Sequence, residues 1–168
     1  MAIEVGEFYR FSKTIAAVPN WYIQDSIWLG FSCPLDVDGV TLEGFRLQAK
    51  AMLRQPDRHV VMQLEHLPHT DKGGAICRLE WRPFNGHNNK GIGPTHLRFK
   101  EILTSHHHPF DLNWSECEKS VRRGQLPLAV PLDPDPPNYR EFLALVGREF
   151  RIDNIQCIEV PPWQPVII

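Results

Sequence analysis

The chain has no CxxC pair among its four cysteines, no apolar run near the roughly 18 residues of a membrane helix, and no surplus of one charge. Each absence excludes a class. Cys33, Cys77, Cys117 and Cys157 stand too far apart for a zinc ribbon or a redox pair, and they read as reduced and mostly buried thiols. Their near-even spacing marks no repeat, because the flanking residues share nothing beyond the cysteine. A formal net charge of −2 gives no global basic field, so any polyanion site has to be local. The opening residues show no basic-then-apolar leader, and the expectation is a cytoplasmic protein with no membrane association. No P-loop, dinucleotide fingerprint, serine-hydrolase elbow or paired-carboxylate motif is present.

What is present is an ordinary globular composition, 42% hydrophobic and 23% charged over 168 residues, which fits one domain spanning residues 1–168. Ile27, Leu29, Phe31 and Cys33 alternate with polar or small neighbours and predict an early strand. After the turn-like DVDG, Thr41 heads a predicted helix with Leu42, Phe45, Ala49, Met52 and Leu53 on one side. From His59 the period becomes two. Val60, Met62 and Leu64 share a face, then Cys77, Leu79 and Trp81, then Leu97 and Phe99. Three strands with short connections predict an antiparallel meander around residues 58–103. Asn113 with Glu116 and Asn138 with Glu141 carry capping-box-like spacing, predicting two helices. Between them LPLAVPLDPDPP fits an edge strand or an extended linker, and the tail from Ile155 predicts a last strand. The fold class is therefore α+β, an antiparallel sheet flanked by two or three helices.

All eight histidines lie between His59 and His108. Imidazole, with an unperturbed pKa of about 6.5, exchanges protons near neutrality and also ligates metals. His96, Arg98 and Lys100 share one side of the third predicted strand, facing Arg78, Glu80 and Arg82 on its neighbour. Such a face can surround a small anion, or it is simply a solvated, salt-bridged surface. The loop from Gly86 to Pro94 carries His87, Asn88 and Asn89, with glycines that let backbone amides approach an anion. Plain turn chemistry accounts for its glycines and asparagines equally well. In His106-His107-His108 on an extended chain, the outer two point one way and the middle one the other. His59, His66 and His69 sit at strand ends and in a loop, where structural histidines are usual.

The stretches WRPFNGHNNKGIGPTHLRF, SHHHPFDLNW, LPLAVPLDP and FRIDNIQ…PPWQP, over about residues 78–165, resemble a family of small bacterial proteins of unknown function. The His-loop-His hairpin is similar to one group of toxins from bacterial toxin–antitoxin pairs. It does not match the HNH nucleases, whose asparagine stands far from both flanking histidines. Two functions follow as expectations. One is a metal-independent ribonuclease-like or toxin-type enzyme with His87 and His96 as the proton-transfer pair. In it His106 or His108 supplies an alternative imidazole, and Arg82, Arg98, Lys100 and Asn89 bind RNA. No cofactor is expected. No standard zinc spacing such as HExxH is present, so no metal ligand is assigned. The other is a non-enzymatic interaction protein, an antitoxin, inhibitor or defence accessory, docking a protein partner through the same face.

Overall fold

Apolar residues at every second position force the middle of the chain into strands that bury one face. The computed structural model describes residues 3–69 and 72–166. In chain order it holds α1 (Val5–Arg10), β1 (Thr14–Ile15), β2 (Tyr22–Ile23), β3 (Trp28–Val37), β4 (Val40–Met52), β5 (Val60–His66) and β6 (Gly74–Trp81). These are followed by β7 (His87–Asn88), β8 (Glu101–Ile102), β9 (His106–His108), α2 (Phe110–Val121), β10 (Val130–Pro131), α3 (Tyr139–Phe150) and a 3-10 turn at Ile155–Cys157.

Eight strands form one antiparallel sheet in the order β1-β3-β4-β5-β6-β9-β10, with β2 also pairing β3, while β7 and β8 make a separate ribbon. The α+β class and the meander are as the alternation predicts. Leu29, Phe31, Leu47, Ala49, Met62, Leu64, Cys77 and Leu79 form the buried face. All three helices pack on it: Phe8 of α1 stacks on Phe45, Phe142 of α3 stacks on Trp81, and Phe110 of α2 joins the same core. No helix among the described residues is long and apolar enough to cross a membrane.

Four local expectations are corrected. The predicted helix after Thr41 is the long strand β4. Phe45, Leu47, Ala49 and Ala51 are also spaced by two, and the Asp38–Gly39 turn, with φ of 50° and 75°, closes a β3–β4 hairpin whose ladder overrides helix propensity. The predicted strand at 96–100 is a turn, with Leu97 N donating to Pro94 O and Lys100 N to Leu97 O. Its place beside β6 is taken by β9. Asn113 does not cap α2, which begins three residues earlier behind Pro109. The tail from Ile155 forms a 3-10 turn instead of a strand. Asn138 does cap α3, accepting from Glu141 N.

Candidate functional site

The face of the sheet away from the helices carries polar residues in cross-strand rows. One row runs Ser32, Gln48, Gln63, Arg78, His108, and the next runs Gly30, Lys50, Val61, Glu80, His106. Because His106 and His108 are two residues apart on one strand, both imidazoles point to this face, beside Arg78 and Glu80. The excursion 82–105 folds back over them and brings His87 along. Its ring lies edge-on to His108 with centroids 4.6 Å apart and 6.0 Å from His106, while His106 and His108 are 5.1 Å apart.

Hydrogen bonds to carbonyls fix which ring nitrogen carries the proton, since a carbonyl only accepts. His106 Nδ1 donates to Thr104 O at 2.8 Å, and His108 Nδ1 donates to Leu126 O at 3.0 Å. Both rings therefore turn an Nε2 lone pair towards Glu80, whose two carboxylate oxygens each lie 3.8 Å from one Nε2. That exceeds hydrogen-bond range. His87 is oriented the other way, with Nε2 donating to Pro127 O at 2.9 Å. The rings of His106 and His108 are 1% and 2% exposed, and Glu80 is 15% exposed. Burial, reinforced by Arg78, His87 and His106, holds His108 well below the usual imidazole pKa despite its bond to Leu126. Arg78 steadies the group, its Nε donating to Gln63 at 3.0 Å and its Nη1 lying 3.5 Å from Glu80.

Glu80 opens onto a groove of about 400 Å³ lined by Trp28, Lys50, His59, Gln63 and Arg78. Burial lowers the His59 pKa, while the Glu80 charge pulls it back up and His106 pushes it down. His59 also meets the Trp28 ring edge-on at 5.1 Å. A larger cavity of about 760 Å³ lies at the end of α2, lined by His66, Lys72, Lys119, Arg122 and Arg123. Among the described residues it gathers cations with His66 as its one imidazole, and Arg122 is already paired with Glu118 and Glu4.

Two buried asparagines hold the frame. Asn89 Nδ2 donates to Leu97 O and Ala129 O and its Oδ1 accepts from Ala129 N; Asn113 Nδ2 donates to Pro109 O and Leu128 O and its Oδ1 accepts from Leu128 N. Together they clamp residues 128–129, directly after the Leu126 and Pro127 carbonyls that orient His108 and His87. With its amide consumed in this way and fully buried, Asn89 is a framework residue and not a substrate contact.

Of the residues singled out in the sequence, His87, His106 and His108 come together. His96 does not: it is exposed on the turn and shares no ring contact with them among the described residues. Arg98 Nε donates to Gly93 O on that turn, Lys100 is exposed nearby, and Phe99, expected beneath the sheet, is 74% exposed. Arg82 lies over Trp81, donates to Pro137 O and sits 3.6 Å from Asp135. Arg78 and Glu80, which the alternation of their strand already places on a polar face, are joined there by Lys50 and His59 instead of Arg82, Arg98 and Lys100. The signal for Lys50 is the polar phase of β4, legible only once that segment is known to be a strand.

His107 points to the opposite face. Its Nε2 is 3.3 Å from Cys77 Sγ and its Nδ1 is 3.9 Å from Glu149, a thiol–imidazole–carboxylate chain. Burial pushes the Cys77 thiol far above its ordinary pKa and lowers that of His107 to about 4, and Cys77 has no solvent exposure. Compared with known proteins, the chain matches no family model, no curated protein and no solved structure.

Proposed function

We propose that the polar sheet face cleaves phosphodiester bonds in RNA. The observation that carries this reading is that Glu80 joins two cations, Arg78 and Lys50, on one open groove while the buried His106 and His108 converge on Glu80 from behind it. Cleavage by a ribose 2′-hydroxyl needs a base for the hydroxyl proton, cations on the non-bridging oxygens and a group that meets charge on the leaving oxygen. His59, its pKa lowered by burial, is the base and takes the 2′-hydroxyl proton; Arg78 and Lys50 hold the phosphate; a cation held by Glu80, His106 and His108 would meet the charge on the leaving oxygen, which departs with a proton from water. Trp28, on the same groove, offers a flat surface for a nucleobase.

The test is mixed RNA incubated with the purified chain between pH 6 and 8, with divalent ions and separately with EDTA. Wild type fragments the RNA, and Glu80→Gln loses on the order of a hundredfold in rate. RNA left intact in every condition, or cut equally by Glu80→Gln, overturns the reading.

A second reading has its own support. The excursion over the site exposes Phe84, Phe99 and Leu103, an apolar set suited to a protein partner. In that case the chain is an interaction protein, and Phe99→Ser with Leu103→Ser abolishes partner capture while RNA cleavage is absent from the start.

A further inference from the structure

We infer that Glu80, His106 and His108 form a binding site for one divalent transition-metal ion of the zinc class, with at least one coordination position open to the groove. The inference rests on the geometry of the centre and stands whether or not RNA is the substrate.

The three residues each offer a ligand atom, and these atoms lie within 4.8 Å of one another. Two ligand atoms that share a tetrahedral zinc ion, each about 2.1 Å from it, stand about 3.4 Å apart. Both Nε2-to-carboxylate distances here are 3.8 Å, each to a different Glu80 oxygen, and the whole set stays within 4.8 Å, so side-chain movement of about 1 Å closes the site. The separation is too long for a hydrogen bond and close to what a shared ion requires.

The outer contacts point the same way. A ligating histidine ordinarily donates its other ring N–H to a carbonyl or carboxylate, which fixes the tautomer and aims the free nitrogen. His106 does this through Thr104 and His108 through Leu126. Arg78, held by Gln63, reaches one Glu80 oxygen and leaves the carboxylate able to bind through the other. Backbone pairing sets the positions, because Glu80 is the cross-strand partner of His106 and Arg78 that of His108.

The donor set selects the ion. Two imidazoles and one carboxylate suit zinc and its first-row neighbours, whereas calcium and magnesium take all-oxygen cages. Three protein ligands are the usual complement of a catalytic zinc, whose fourth position holds water or substrate. Of the three, Glu80 borders the groove, so the open position lies on the side from which a ligand arrives. His87, whose Nε2 is committed to Pro127, packs against both rings and does not line the groove.

The experiment uses tag-free protein stripped with EDTA, dialysed, and titrated with Zn²⁺ against a chromophoric chelator; Co²⁺ is added in a parallel titration. One Zn²⁺ per chain is expected, with affinity falling by about a hundredfold or more in Glu80→Gln and His108→Ala and unchanged in His96→Ala. The Co²⁺ complex of wild type shows the intense visible bands of a four- or five-coordinate ion. If His108→Ala fails to fold, Glu80→Gln and the cobalt spectrum decide. A Co²⁺ spectrum indistinguishable from the free aquo ion, or Zn²⁺ binding unaffected by Glu80→Gln, overturns the inference. Zinc binding with RNA left intact upholds the centre and removes the ribonuclease reading. Cleavage that persists in the stripped protein, with no metal bound, upholds cleavage and removes the metal site.

Discussion

Replacing Asn89 by alanine removes three hydrogen bonds from a fully buried side chain and leaves a space the size of a carboxamide. The Leu97 carbonyl keeps a partner in Lys100 N, but the Ala129 N–H and C=O lose theirs in a residue with no solvent exposure. Each buried backbone group left unpaired costs about 1–3 kcal/mol, so Asn89→Ala is expected to destabilise the fold by about 3–5 kcal/mol. That is a large part of the roughly 5–15 kcal/mol a domain possesses. In a chain of this length it lowers Tm by about 10 °C or more. Asn89→Asp is no rescue, because a carboxylate can still accept from Ala129 N but places negative charge against two carbonyl oxygens. The assay is urea denaturation followed by tryptophan fluorescence, with midpoint and slope for wild type and both variants. A substrate-binding asparagine on a loop gives the opposite pattern, weakened binding with unchanged stability. An Asn89→Ala midpoint equal to that of wild type would refute the framework role.

Asn113→Ala removes the matching clamp on Leu128 and is expected to destabilise by a similar amount, about 3–5 kcal/mol by the same denaturation assay. Gly124→Ala brings a Cβ to 2.7 Å from the Gly74 Cα at a φ of +74° and is expected to cost about 2 kcal/mol or more, read as a shifted urea midpoint. His96→Ala is expected to change neither stability nor RNA cleavage, since the ring is exposed and outside the centre, whereas His87→Ala, which unpacks His106 and His108, lowers cleavage. Among the cysteines, Cys117 is the fastest to alkylate at pH 7, because its bonds to Ser120 lower the thiol pKa and favour the thiolate, while Cys77 reacts only on unfolding. Mass spectrometry of iodoacetamide-treated protein reads both.

The strands β5 and β6 were legible because Val60, Met62, Leu64 and Cys77, Leu79, Trp81 alternate without interruption, and one buried face admits one phase. The opposed directions of His107 and its two neighbours follow from the same period. β4 was misread because apolar positions 45, 49 and 52 satisfy a helical spacing that 45, 47, 49 and 51 satisfy equally well as a strand. Only pairing with β3 and β5 decides between them. At 96–100 the alternation is five residues long, short enough to arise in a turn. The sheet position was taken instead by three histidines whose side chains, polar on both faces, carry no alternation signal at all. That one exchange moved the centre of the site from His96 to Glu80. Asn113 carried the composition of a helix cap, yet its side chain is spent on Leu128, a partner 15 residues away that local spacing cannot reveal.

A metal centre here requires His106 and His108 to turn their Nε2 lone pairs to Glu80, and the state of those nitrogens is directly measurable. Long-range ¹H–¹⁵N correlation spectra of the imidazoles at neutral pH, assigned through single His→Gln variants and recorded on EDTA-stripped protein, report which nitrogen bears the proton. The structure predicts a protonated Nδ1 and a bare Nε2 on both His106 and His108, with the reverse arrangement on His87. Addition of one equivalent of Zn²⁺ should then shift the two bare Nε2 resonances and leave that of His96 in place. An Nε2-protonated tautomer on His106 or His108 would contradict the account, because neither ring could then present a lone pair to an ion beside Glu80.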